Sequence, residues 1–332
     1  MRAFVLERYR QPIELREIPE PEVGDRDVLI RVEAVGLNQL DEKIRIGEFA
    51  QILPYSLPVV LGNDVAGTVI RVGRLVESFR PGDRVFARPD QGRMGAFAER
   101  AAVAEADLAL IPTRITAAEA ASLPLVALTA WQALVERGRI EPGQKVLIHA
   151  GAGGVGSIAI QLAKHLGATV ATTASAANAA FVRALGADVV IDYRAEDFAE
   201  VLSGYDLVLD SLGGENLERS LRVLRPGGLA IGISGPPDPA FAKRMGLNAV
   251  VRLAIAAMSR RIRRQAKRLG VDYEFLFMRA EGRQLARIAS LVDDGVITPV
   301  VSKIYPFEEL PAALADLAVG GGRGKIVATL EV

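Results

Sequence analysis

The stretch Lys145-Val-Leu-Ile-His-Ala-Gly-Ala-Gly-Gly-Val-Gly156 decides the fold. Its apolar opening reads as a buried strand, and the residues from Val155 to Leu166 have the spacing of a helix. Between them lies Gly151-x-Gly153-x-x-Gly156. A glycine pattern of this kind carries weight only when a strand precedes it and a helix follows, as here. The first glycine permits the tight turn, the second lets a pyrophosphate approach the backbone, and the third lets helix and strand pack closely. Free N–H groups and the helix dipole at the helix start then favour phosphate. Residues Ala150, Gly151, Ala152, Gly153, Gly154, Val155 and Gly156 are therefore candidate cofactor contacts.

Working outward, strands and helices alternate after this loop. Strand patterns cover 168–174, 188–192, 205–212 and 227–234, with helices at 179–185 and around 217–224. Short apolar strands alternating with helices read as βαβ units on a doubly wound parallel sheet, a Rossmann domain of α/β class. Before the loop the pattern differs. Short β-type runs at 28–32, 64–72, 84–87 and 96–103 are broken by Pro21, Gly24, Gly62 and Pro81-Gly82-Asp83. That spacing suggests a β-barrel. Helical spacing appears at 116–123, where Thr116 and Glu119 form a possible capping box, and at 128–136. The chain closes with strand, helix and strand patterns at 300–305, 310–319 and 325–330. The pattern switch places the domain boundary at about 121. We expect one domain from 1–121 and 279–332 and a Rossmann NADP-binding domain at 122–278.

A reader of the ribose 2′-hydroxyl would be an acid about 20 residues after the loop. Thr172-Thr173-Ala174-Ser175-Ala176-Ala177-Asn178 contains none. Without that carboxylate a 2′-phosphate meets no repulsion, and Ser175 and Asn178 offer hydrogen bonds, which favours NADPH. Tyr193 and Arg194, after the third strand, could add a contact. Tyr193 reads equally as an edge tyrosine.

Composition narrows the chemistry. There is no cysteine, so thiolate zinc sites, iron–sulfur clusters and a Cys nucleophile are out. The two histidines, His149 and His165, have no ligand partner nearby in sequence and read as structural. Lys plus Arg equals Asp plus Glu at 40 each, which argues against general nucleic-acid binding. The N-terminal run has no apolar core of a signal peptide. A cytoplasmic protein is expected. Neither G-x-S-x-G nor a P-loop occurs: Ser234 lies in Gly232-Ile233-Ser234-Gly235, and Lys325 precedes Ile326. Asp192 and Asp210 end parallel strands, where carboxylates often cap the next helix.

Together GNDVAGTVIRVG (62–73), FRPGDRVFA (79–87), GAFAER (95–100), AASLPLVALTAWQAL (120–134), AGAGGVG (150–156) and GKIV (324–327) resemble the medium-chain dehydrogenase/reductase superfamily. The likeness spans nearly the whole chain, in order. Within the superfamily the chain resembles the zinc-free quinone oxidoreductase branch, with its alkenal and enone reductases. The resemblance implies a GroES-like β-barrel domain interrupted by a Rossmann domain, with the active site in the cleft between them. Zinc alcohol dehydrogenases of the superfamily carry Cys where this chain has Asn38 and His where it has Asn63. The resemblance therefore implies hydride transfer from NADPH to a quinone or an enone, with no zinc to act as Lewis acid and a proton from water.

Carried over position by position, Asn38 and Asp41 match an N-x-x-D near nicotinamide and substrate, and Thr129 a threonine near the nicotinamide end. Ser175, Asn178 and Tyr193 match the 2′-phosphate pocket, and Leu212 and Gly213 a turn beside the adenosine ribose. Ile233 and Ser234 follow the fifth strand, Phe275, Leu276 and Phe277 match a segment near the carboxamide, and Lys325 is the lysine of the terminal Gly-Lys. Two positions depart. Asn178 stands where many relatives have Lys, and Lys43 where they often have Tyr. Lys43, Tyr55, Asn63 and Trp131 are the expected substrate pocket. Tyr55 and Trp131 could stack on a flat acceptor or fill the core.

One segment lies outside the resemblance. Between Pro239 and Val271 stand nine basic residues and no acid. At helical spacing, Arg260, Arg261, Arg263, Arg264, Lys267 and Arg268 share one face of a helix over 255–269. Ile255, Met258, Ile262, Ala266 and Leu269 take the other. This reads as a solvated face, or as a contact for an anionic membrane or acidic partner. The expected protein is a homodimeric NADPH-dependent quinone or enone reductase. The competing expectation is a non-catalytic NADPH-binding protein that senses redox state or serves a structural role.

Overall fold

The computed structural model describes residues 1–48, 50 and 55–330. The chain divides into two compact units, Met1–Leu128 with Arg279–Val332, and Thr129–Met278. The first division lies seven residues past the expected 121, because the chain beyond Ala121 still packs in the first unit, where Leu125 N–H donates to Asp64.

The first unit holds strands β1 (Arg2–Leu6), β2 (Glu14–Glu17), β3 (Asp27–Gly36), β4 (Val59–Val60), β5 (Asp64–Val72), β6 (Arg84–Ala87), β7 (Arg100–Ala104) and β8 (Leu108–Leu110). The second holds β9 (Lys145–Ile148), β10 (Thr169–Ala174), β11 (Val189–Asp192), β12 (Tyr205–Asp210), β13 (Leu224–Gly232) and β14 (Asp272–Phe275). The chain then returns to the first unit with β15 (Val301–Pro306) and β16 (Lys325–Thr329).

In the first unit the larger sheet runs β15-β16-β3-β5-β6-β8, with β7 also on β3, and β2-β1-β4 forms a smaller one. β3 is the hub. Nearly every residue of it is buried, and it pairs antiparallel with β5, β7 and β16. Gly67 in β5 is required by contact: a Cβ there would lie 2.1 Å from the Arg31 carbonyl of β3. The core gathers Phe4, Val28, Ile30, Val65 and Phe97 with Phe307, whose ring meets Phe4 edge-on at 5.2 Å. Residues from both ends of the chain therefore share this core.

In the second unit all six strands are parallel, in the order β11-β10-β9-β12-β13-β14. This is the doubly wound order 3-2-1-4-5-6, whose switch point lies between β9 and β12. The strand β14 was not anticipated as part of the sheet. Its four residues lack an apolar run, and two of them are only half buried. The helix expected around 217–224 lies at Gly214–Ser220 instead, because the apolar residue Leu224 enters the sheet as the start of β13. The helix expected at 128–136 begins earlier, as Pro124–Trp131, with a π-helical turn at Gln132–Arg137. Proline suits a first helical turn because it needs no N–H there.

The expected basic helix over 255–269 is two helices, Ala249–Met258 and Arg260–Leu269. They meet at buried Ser259, whose hydroxyl bonds back to the Ile255 carbonyl at 2.9 Å. Ile255, Ile262 and Ala266 are buried as expected, but Met258 and Leu269 face outward. The helical phase breaks at Ser259, and Leu269 is the last residue before left-handed Gly270.

Candidate functional site

Three strand ends converge in the first unit. Antiparallel pairing sets the end of β3 beside the starts of β5 and β16, with Gly36 opposite both Asp64 and Val327. The chain leaves β3 through Leu37 and Asn38, then enters a short helix, Gln39–Arg45. Asp41 in its first turn is fully buried and accepts from the Asn38 N–H at 2.7 Å and from Asn63 Nδ2 at 2.7 Å. Asp64, equally buried, accepts from Asn38 Nδ2 at 2.9 Å, from Leu125 N–H at 2.8 Å and from Lys325 Nζ at 3.2 Å. Lys325 also donates to the Leu37 carbonyl at 2.6 Å and to Asn38 Oδ1. Asn38, Asp41, Asn63, Asp64 and Lys325 therefore form one network, with Asn38 joining Asp41, Asp64 and Lys325.

Burial pushes the Asp41 carboxyl up to about 6, against the pull of its two N–H donors and Lys325. Burial also raises Asp64, opposed first by the Lys325 charge and then by Asn38. Imidazole and thiolate, the usual zinc donors, are absent from this set. The Lys325 ammonium stands where a cation would balance Asp64. Among the described residues no group of three His, Cys, Asp or Glu side chains could hold a metal.

Two other expected pocket residues sit apart from this network. Lys43 pairs with Glu48 at 3.2 Å. Tyr55 packs against the unit's core, and its N–H donates to Tyr9 Oη at 3.3 Å. A residue the sequence reading passed over is Arg88, just after β6. It is 1% exposed and donates to the Pro89 carbonyl, and among the described residues its Nε and Nη2 have no partner, nor does Asn63 Oδ1. Burial holds its pKa down. Orphaned buried polar atoms mark where water or a polar ligand would complete the hydrogen bonding. A charge directly after an apolar strand was the available signal.

The second candidate set lines the carboxyl ends of the parallel strands in the second unit. After β9, Ala150 takes a left-handed backbone at φ 52°. A Cβ on Gly151 would lie 2.1 Å from Thr172 Oγ1, and one on Gly156 would lie 2.3 Å from the Ala150 carbonyl. A Cβ on Gly153 would meet only the Ala150 carbonyl, at 3.3 Å. The first and third glycines are thus demanded by packing, while the second has a single, less severe neighbour. Gly153 caps the Gly154–His165 helix without a side-chain hydrogen bond, so its first-turn N–H groups suit an anion. This loop fits a dinucleotide pyrophosphate.

Register places the other candidates along the same edge. Ala174 lies opposite Asp192, so Ser175 and Tyr193 leave adjacent strands together. Asn178 closes the short turn after Ser175. Tyr193 is exposed, with the Arg194 guanidinium 5.5 Å from its ring centre. A guanidinium therefore stands beside Tyr193 at this edge. After β12, Leu212 and Gly213 form a turn whose N–H groups donate to Asp210 at 3.1 and 2.6 Å. A Cβ on Gly213 would lie 2.8 Å from the Ser234 carbonyl, so this turn and residues Ile233 and Ser234 after β13 abut. Phe275, Leu276 and Phe277 leave β14 under the control of Asp238, which accepts from Phe275 N–H at 2.9 Å. Thr129 is buried and Trp131 half buried, both in the Pro124–Trp131 helix. His149, below the glycine loop, is buried between Thr173 and Ser220, and burial pushes its pKa down to about 4.

Two family descriptions match the chain: an alcohol dehydrogenase GroES-like domain over residues 24–113 and a zinc-binding dehydrogenase over 185–327. The chain is 34% identical over 325 residues to the mitochondrial NAD(P)H oxidoreductase RTN4IP1 of Danio rerio, covering 92% of this chain and 84% of that protein. It is 35% identical over 317 residues to a chloroplastic NADPH-dependent alkenal/one oxidoreductase of Arabidopsis thaliana, covering 92% of this chain and 73% of that one. Its structure superposes on the quinone oxidoreductase from Coxiella burnetii with a TM-score of 0.85 at 32% identity, covering 100% and 99% of the two chains.

The buried ion pair gives a direct test. Lys325→Met leaves Asp64 without its cation and should lower unfolding stability by about 3–5 kcal/mol in a denaturant titration. Adding Asp64→Asn should recover much of the loss. An unchanged midpoint in the single variant would show that the network does not depend on the pair.

Proposed function

Because the chain belongs to the zinc-free quinone oxidoreductase branch of the medium-chain dehydrogenase/reductase superfamily, we propose that it is an NADPH-dependent reductase of quinones or α,β-unsaturated carbonyls. The observation that carries this reading is the glycine loop whose Gly153 starts the Gly154–His165 helix, at the switch point of a parallel six-stranded sheet. The bound dinucleotide supplies the hydride. Gly153 and the first turn of the Gly154–His165 helix hold its pyrophosphate, while Ser175, Tyr193 and Arg194 receive the 2′-phosphate. Asn38, Asp41 and Asn63 order the polar end of the acceptor region through their shared network. For an enone, hydride adds to the β-carbon, the C=C pair becomes an enolate, and water returns a proton to the α-carbon. The amide donors Asn38 and Asn63 and the Lys325 ammonium support chemistry without zinc.

Purified protein should oxidise NADPH in the presence of quinones or α,β-unsaturated carbonyls. Tight NADPH binding with no turnover across a panel of both would favour the non-catalytic alternative. Cofactor choice has its own test. Ser175→Asp should weaken NADPH binding about tenfold or more by like-charge repulsion while affecting NADH less. An unchanged ratio of the two affinities would remove Ser175 from the 2′-phosphate site.

We also propose a cytoplasmic homodimer. β14 is an edge strand, and an unpaired edge supports pairing with a second copy. Among the described residues no helix is long and apolar enough to cross a membrane. The basic segment supports a peripheral contact with an anionic surface. Arg252, Arg260, Arg264, Lys267 and Arg268 are exposed, and among the described residues none has a carboxylate within ion-pair distance. Beside them Val250 is 79% exposed, Leu253 73% and Met258 60%. Cations bordering outward apolar side chains suit an anionic bilayer. The protein should sediment with vesicles containing anionic lipid at low salt and not with neutral vesicles. No lipid-dependent sedimentation would leave the segment as a solvated face.

A further inference from the structure

A continuous chain of hydrogen bonds crosses the second unit beneath the candidate cofactor edge. It begins at Ala150, where the N–H donates to Thr173 Oγ1 at 3.1 Å. Thr173 Oγ1 lies 3.1 Å from His149 Nδ1, and His149 Nε2 lies 2.8 Å from Ser220 Oγ. Ser220 Oγ donates to the Asn216 carbonyl at 2.8 Å, and Asn216 Nδ2 donates to Asp210 Oδ2 at 2.7 Å. Asp210 Oδ1 receives the N–H groups of Leu212 and Gly213.

Proton counting along this chain selects one form of the histidine. The Ser220 hydroxyl spends its only proton on a carbonyl, which cannot donate, so it must accept from His149 Nε2–H. Thr173 Oγ1 accepts from Ala150 and keeps its own proton free for Nδ1. The Ser220 end thus demands Nε2–H, the Thr173 end suits an unprotonated Nδ1, and burial keeps the ring neutral. We infer that His149 is a positioning residue for the cofactor: as the neutral Nε2–H tautomer it ties the glycine loop to the Leu212–Gly213 turn and holds the two backbone segments in one arrangement.

What it restrains is otherwise unfavourable. Ala150 is a non-glycine residue in the left-handed region, which costs of order 1–3 kcal/mol unless surroundings enforce it. Its N–H is held by Thr173. Its carbonyl is trapped between the Gly153 N–H and the close approach of Gly156. The groups around the ring keep it neutral. Burial dominates, Arg219 adds to it, Asp210 opposes it, and the Phe198 ring closes one side edge-on at 4.7 Å.

This inference rests on the dinucleotide reading, and its test separates the two. With only two histidines in the chain, the imidazole nitrogens of the ligand-free protein can be assigned by NMR with a His165→Gln control. His149 should show the Nε2–H tautomer. His149→Phe keeps a ring but loses both bonds, and calorimetry should show NADPH binding weakened about tenfold, the scale of one or two lost hydrogen bonds. The amides of Ala150 and Gly213 should exchange faster in the ligand-free variant, and those of β9 and β12 should not. His149→Gln, which can keep the bond to Ser220, should recover part of the affinity. Should His149→Phe fail to fold, Thr173→Val should give the same direction. An Nδ1–H tautomer, or a folded variant that binds NADPH as the wild type does, overturns the positioning role alone. A wild-type protein that binds no dinucleotide overturns the cofactor reading and this role with it.

Discussion

The ammonium of Lys325 is buried to 6% exposure against a carboxylate that is wholly buried. Neither charge is tolerable alone at that depth, so each fixes the other. The contact also decides topology. Lys325 opens β16, Asp64 opens β5, and the Leu37 carbonyl follows β3, so three strands separated widely in sequence must meet at one point. The candidate residues Asn38, Asp41 and Asn63 inherit their positions from that meeting. Their geometry is a property of the sheet ends and owes little to the local loops.

Much of the second unit was legible in the sequence, because its signals are local. Gly151 and Gly156 are fixed by contacts within a few residues or with the next strand, and the spacing alone exposes them. The apolar runs of β9, β10 and β12 likewise declare themselves. β14 did not, since Asp272 and Glu274 break its apolar pattern and only its pairing with β13 makes it a strand. The break at Ser259 was equally hidden: serine is compatible with a helix, and only the fold shows one helix ending and the next beginning there.

The first unit was legible as a class and not in its chemistry. The motif positions identified Asn38, Asp41, Asn63 and Lys325, yet no spacing rule links Lys325 to Asp64 across more than half the chain. Arg88 was missed for a related reason, since a lone arginine after a strand usually faces water. The same holds for His149. Its two partners, Thr173 and Ser220, come from different elements, and nothing in the sequence pairs them.

The return of residues 279–332 to the first unit bears on how the molecule is made. β3 precedes the second unit in the chain, and its partner β16 follows it. The whole second unit, a contiguous stretch from Thr129 to Met278, is available to fold before that. Until β16 is made, the Ala34–Gly36 end of β3 lacks that partner and Asp64 lacks its cation. Chain connectivity thus lets the contiguous unit fold before the barrel can close.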